Sequence, residues 1–143
     1  MVTFDKFVSQ FGKLEKHLIS KSGTLLMKNE GKIIALNNKQ LLEGKNALNK
    51  TMQTGYSGGY STRRRKAGLQ TGFVDLKFSG KYQDSKRGVK VADGMNIESG
   101  VDYEKYLRGN FPNHVGLTDK NSEAVAELLS DEVAVLIEKY LTK

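Results

Sequence analysis

The apolar residues of this chain change period twice, and that change limits the folds open to it. Phe4, Phe7, Val8, Phe11, Leu14, Leu18 and Ile19 fall three and four apart and line one face of a helix. In the middle, "FVDLKF" (residues 73–78) sets Phe73, Asp75 and Lys77 on one side and Val74, Leu76 and Phe78 on the other, which is the pattern of a half-buried strand. "RGVKVADGMNIESG" follows, with Val89 and Val91 alternating, a turn at Asp93–Gly94 and Ile97 on the return, and reads as a hairpin. The helical period then comes back in Val125, Leu128, Leu129, Val133, Leu136, Ile137, Tyr140 and Leu141. Helices, then strands, then a helix define the α+β class. We expect a small antiparallel sheet of three or more strands, packed by a long N-terminal helix and a C-terminal helix.

Local signals set the ends of these elements. Thr3 suits the first N-cap, and Asp5 stands near the positive end of the helix dipole. Gly23 is placed as a break or C-cap, with Leu25, Leu26 and Met27 continuing past a kink to Gly31. Three Phe on one stripe would cost ~1.5–3 kcal/mol each to leave in water, so this face is expected to be core. Residues 32–55 fit two short helices or a helix and an extended piece. Tyr103, Tyr106 and Leu107 suggest a one-turn helix or loop, followed by an irregular stretch holding Pro112. Thr118 is the expected N-cap of the last helix, with Asp119 and Glu123 near its start and Lys139 and Lys143 at its end.

Residues 54–72, "TGYSGGYSTRRRKAGLQTG", break the pattern: five glycines in nineteen residues accompany two tyrosines and four consecutive cations. Glycine at that density weakens regular structure. The segment is expected to be a long basic loop or arm, with or without a short helix near the arginines, on a single domain spanning residues 1–143. Its interacting residues would be Tyr56, Tyr60, Arg63, Arg64, Arg65 and Lys66. Clustered cations beside aromatics suit nucleic acid, and arginines equally anchor protein interfaces; composition leaves both open.

Charge is distributed unevenly. Residues 1–55 carry nine Lys/Arg against four Asp/Glu, residues 56–90 nine against two, and residues 91–143 five against ten, giving +5, +7 and −5. Such a chain suits a polyanion or a second copy of itself, basic surface against acidic surface. The chain has no cysteine, which excludes disulfides and thiolate metal sites. No stretch approaches the ~20 apolar residues that span a bilayer, and Asp5, Lys6 and Lys13 interrupt any signal-peptide core, so a protein retained in the cell that makes it, away from membranes, is expected.

Motifs for catalysis are missing. The two histidines, His17 and His114, are far apart and in no metal-ligand spacing. His17 lies on the polar side of the first helix, and His114 is expected to be structural. "GYSGGYS" is not a nucleophile elbow, and no phosphate-cradling P-loop or dinucleotide fingerprint is present. No enzyme activity, cofactor or metal is expected.

One stretch has a pattern of its own. In "VDLKFSGKYQDS" an apolar strand runs into Leu76, Ser79, Gly80, Tyr82 and Ser85. Downstream lie "IESGVDYEKY" with Tyr103, then Pro112, then Gly116–Leu117–Thr118 opening the last helix. In order and spacing, residues 33–141 resemble the neck and tail-completion (virion morphogenesis, head–tail connector) proteins of tailed bacteriophages. "IIALNNKQLLEGK" is similar to a segment upstream of the strand in related proteins of phages infecting Bacteroidetes. The resemblance implies a small sheet packed by a long helix, in a structural virion protein that forms a ring around the DNA channel. Its partners would be copies of itself, docked head to tail, and portal or tail proteins, with double-stranded DNA in the channel. It would be made in the host cytoplasm and reside in the virion. No catalysis or cofactor is implied. The alternative from composition is a basic DNA-binding accessory protein.

Overall fold

The computed structural model describes residues 3–142, leaving aside the side chain of Phe7. The expected roles of that side chain and of Lys143 lie outside the described residues. Six helices and one hairpin run in the order α1 (Phe4–Lys28), α2 (Glu30–Leu42), α3 (Gly58–Lys66), α4 (Lys81–Asp84), β1 (Lys86–Val91), β2 (Gly94–Ser99), α5 (Glu104–Asn110) and α6 (Asp119–Leu141). The class is α+β, with long helices at both ends as the periodicity requires.

Thr3 caps α1, its hydroxyl oxygen accepting the Lys6 amide at 3.3 Å, and Asp5 occupies the first turn. Thr118 caps α6 in the same way, accepting from the Asn121 amide. Residues 32–55 resolve into one helix, α2, and an irregular stretch with a single bridge between Lys45 and Thr51. Gly31 falls inside α2, since α1 already ends at Lys28 with Asn29 between the two helices.

Gly23 does not break α1. The helix passes straight through it, because this is where α1 crosses the hairpin turn. A Cβ at Gly23 would stand 2.9 Å from the Gly94 carbonyl oxygen and 3.0 Å from that of Val91. The glycine serves close approach rather than termination.

The sheet is smaller than expected. Among the described residues it has two strands, β1 and β2, paired antiparallel from Lys86↔Ser99 to Val91↔Gly94. The two-residue connection is therefore Ala92–Asp93, one residue earlier than the sequence suggested. Residues 73–78 do not form the third strand. Their amides go elsewhere: Val74 donates to the Gln53 carbonyl (3.0 Å), Asp75 to the Tyr56 hydroxyl (3.0 Å) and Lys77 to the Asp75 carboxylate (3.0 Å). Leu76 takes a positive φ of 58°, and Val74 and Asp75 are both buried, so the alternation of faces is lost.

The core has two parts. Leu25, Ile33, Ile97, Val125 and Leu129 join α1, α2, β2 and α6. Leu41, Tyr82 and Val101 form a second cluster around α4. Leu25 packs with Leu129, while His17 meets the Tyr140 ring at 5.0 Å, so α1 and α6 run antiparallel. His17 is thereby half-buried rather than wholly on the surface.

This register leaves the start of α1 beyond the end of α6. Residues 4–13 amount to about 15 Å of helix at 1.5 Å per residue. Among the described side chains of this helix, Leu14 and Leu25 are buried and Leu18 half-buried; Phe4 is 78% exposed, Val8 51%, Phe11 55% and Ile19 44%. The expectation of a fully buried face fails because the body is too short to cover it.

The Gly23 crossing makes a paired prediction. Gly12, also in α1, has open space around it. Gly12→Ala should stabilise the protein by about 0.5–1 kcal/mol through helix propensity. Gly23→Ala should destabilise it by about 1–3 kcal/mol through overpacking. Urea unfolding of both variants checks this; equal shifts would contradict the crossing.

Candidate interaction cleft

The basic run folds onto the body instead of extending from it. Three of the four cations face outward: Arg63, Arg65 and Lys66 are exposed, but Arg64 is only 1% exposed. Its guanidinium donates from Nε to the Gln70 carbonyl (2.9 Å) and from Nη1 to the Lys77 carbonyl (2.6 Å). Nη2 meets both oxygens of Asp75, at 3.1 and 3.3 Å. The same guanidinium lies 4.2 Å from the centre of the Tyr56 ring. Every face of the buried charge thus has a partner, which is the condition for burying it.

Asp75 is equally well supplied. The Tyr56 hydroxyl donates to it at 3.0 Å, the Gln70 amide nitrogen at 2.9 Å and the Lys77 backbone at 3.0 Å. Burial pushes the Tyr56 phenol up to about 12, and the Asp75 charge adds to the shift. Residues 54–72 hold a short helix at the arginines, α3, but not as a free arm: the segment is pinned by a buried ion pair reaching forward to residue 75. Of the six residues assigned to the arm, Tyr56 and Arg64 belong to this pin. Tyr60 is 37% exposed, beside Arg63, Arg65 and Lys66.

Between α3, residues 73–81, α4 and α5 the fold leaves a cleft of about 510 Å³. Tyr60, Phe78, Tyr103 and Phe111 give it aromatic walls, and Arg63, Lys77 and Lys81 give it cations. No Asp or Glu is among its lining residues. Tyr60 and Phe78 are stacked with their centres 6.0 Å apart, and the Arg63 guanidinium sits 4.8 Å from the centre of the Phe78 ring. Gln83, also in the lining, is 7% exposed. Its amide nitrogen donates to the Leu76 carbonyl at 3.0 Å, but its buried side-chain oxygen has no hydrogen-bond partner. A buried acceptor without a donor is costly and unusual.

Residues 76–83 of the "LKFSGKYQDS" pattern line this cleft, and Ser85 stands behind them. Leu76 holds its positive φ, and Gly80, with φ 89°, precedes α4. The Ser79 hydroxyl accepts the Lys81 amide at 3.3 Å. Ser85 donates to the Tyr82 carbonyl at 2.8 Å and pairs with the Ser99 hydroxyl. Tyr82 is 2% exposed, and its hydroxyl meets His114 Nε2 at 2.6 Å. His114 Nδ1 faces the Phe111 carbonyl at 2.8 Å, and a carbonyl only accepts. Nδ1 therefore carries the proton, and Nε2 accepts from Tyr82. Burial lowers the His114 pKa, which keeps the ring neutral. Tyr103 is 42% exposed at the start of α5, with its ring centre 6.5 Å from that of Tyr82. Pro112 lies exposed in the α5–α6 loop, next to Phe111 but not itself among the lining residues.

A second polar centre escaped sequence reasoning. Lys86 is 8% exposed; its ammonium donates to Asn37 Oδ1 (2.6 Å) and Asn38 Oδ1 (2.8 Å) and sits 4.8 Å from the centre of the Tyr82 ring. Burial brings its pKa down to about 8. Asn37 also donates to the carbonyls of His114 and Gly116, and Gln40 binds Gly116 and Thr118, which ties α2 to the start of α6. Two asparagines in mid-helix were the available signal, since asparagine is a poor helix former unless its side chain is used.

A larger cleft of about 640 Å³ lies beside β2 and α6, but its charged residues Glu104 and Arg108 pair with each other at 2.8 Å. Among the described residues no three His, Cys, Asp or Glu side chains gather to hold a metal ion. Among the same residues no helix is long and apolar enough to cross a membrane. Comparison of the chain with protein-family models, curated proteins and solved structures found no match.

Two outcomes follow from the buried charges. Arg64→Met should cost about 3–5 kcal/mol in urea unfolding, because it strands Asp75. Arg65→Gln should stay within about 0.5 kcal/mol of wild type. The second concerns pH. Unfolded Lys86 keeps its proton to 10.5, folded Lys86 only to about 8. Below pH 8 both states bind the proton and this group adds no slope. Between pH 8 and 10 the unfolded chain binds more protons, so stability rises with pH, by on the order of 2 kcal/mol at most. Lys86→Met should abolish that rise in unfolding measured across the same window.

Proposed function

We propose that this protein is a structural subunit that assembles with copies of itself into a ring in the head–tail connector or tail-completion complex of a tailed phage. The observation that carries the reading is the start of α1. A helix that runs past its own body while holding Phe4 and Val8 in water is suited to a neighbouring subunit rather than to a free monomer. In this reading α1, and not the basic segment, reaches the neighbour.

Charge supports the same assembly. α3 exposes Arg63, Arg65 and Lys66, whereas α6 exposes Glu123, Glu127, Asp131 and Glu138. Opposite signs on different faces favour heterologous, head-to-tail contact, which closes into a ring when the rotation allows. The motif order across residues 33–141 supplies the phage setting, where portal and tail proteins would flank the ring and double-stranded DNA would pass through it.

Native mass spectrometry tests the assembly. The wild type should form one closed oligomer, and Phe4→Ser combined with Val8→Ser should yield monomer with unchanged helix content by circular dichroism. A wild type that stays monomeric at its highest soluble concentration contradicts the reading.

A further inference from the structure

We propose that the cleft between α3 and α5 binds nucleotide units, with single-stranded nucleic acid as the ligand. This inference does not rest on ring assembly. A nucleotide is a flat aromatic base joined to a phosphate. The cleft offers both complements within one concavity: aromatic rings from Tyr60, Phe78 and Tyr103, and cations from Arg63, Lys77 and Lys81. Its volume of about 510 Å³ falls in the range of small-ligand sites.

The exclusion of acids sharpens the match. Asp75 is neutralised behind the lining by Arg64 (3.1 Å), and Glu104 is held by Arg108 (2.8 Å). An anion entering the cleft meets Arg63, Lys77 and Lys81, none of which is in an ion pair among the described residues, with the Asp84 carboxylate near Gly80 as the nearby acid. Single strands are bound in this way, by aromatic side chains under the bases and a cationic track under the backbone.

The rings match the base as the cations match the phosphate. A duplex hides base faces and edges in its stack, so double-stranded DNA would use only the outer cations.

Fluorescence anisotropy on the full chain tests the proposal. The probes are a short single-stranded oligonucleotide, the same strand with abasic sites, its duplex, a nucleoside monophosphate and a polyglutamate peptide. The single strand should bind at low salt and the monophosphate should compete with it. The abasic strand and the duplex should bind about tenfold more weakly, because stacking is lost or hidden. Tyr103→Ala, at an exposed position, should keep the wild-type melting temperature and weaken the single strand by about tenfold. Lys81→Gln should lower the salt slope by roughly 0.7. Equal affinity for intact and abasic strands, or indifference to Tyr103→Ala, would reduce the site to a phosphate-attracting surface and overturn the proposal. So would binding of the acidic peptide without the oligonucleotide, or of neither. None of these results depends on the oligomeric state.

Discussion

The ion pair between Arg64 and Asp75 decides what the middle of this molecule is. Two charges leave water at that point, and the fold answers with carbonyls, an amide, a phenol and a tyrosine ring face. Such a cluster is stable only when every member is in place, because a half-satisfied one leaves a bare charge in a poor solvent. Residues 56, 64, 70 and 75 are therefore fixed together. The glycine-rich segment, free to wander by composition, is drawn onto the body. The cleft follows from this, since its α3 wall exists only where Arg64 holds it.

The two ends of the chain were legible because their signals are local. Thr3 and Thr118 are caps in the sequence and caps in the structure, and the hairpin announced itself through Val89, Val91 and Ile97. Residues 73–78 misled for the opposite reason. Their alternation is real in the sequence, but a strand needs a neighbour for its amides, and those amides are claimed by Gln53, Tyr56 and Asp75. Gly23 misled in a similar way. A glycine in a helical run marks either an end or a close contact, and only the hairpin lying across it decides which.

The candidate site was half visible. Tyr60, Arg63 and Tyr103 stood out by type, and the "LKFSGKYQDS" run by its spacing. No spacing rule says that one arginine in a run of three will turn inward, or that it will find an acid eleven residues on. Buried Gln83, Lys86 and His114 were equally silent, because their roles depend on partners from distant elements. Apolar periodicity reports which face is covered, not how far the covering element extends, so the length of α1 left in solvent could not be foreseen either.

Two surfaces of different chemistry emerge: an apolar helix start suited to a second copy and a cationic, aromatic cleft suited to nucleotides. Both presuppose that residues 54–80 are a folded part of the body. Amide hydrogen exchange on the wild-type protein addresses that point directly. The amides of Leu69, Val74, Asp75 and Lys77 donate to the Arg64 carbonyl, the Gln53 carbonyl, the Tyr56 hydroxyl and the Asp75 carboxylate, and should exchange slowly alongside those of α2. Exchange of these four at the rate of an unstructured chain, while α2 stays protected, would show that the segment is a loose limb after all.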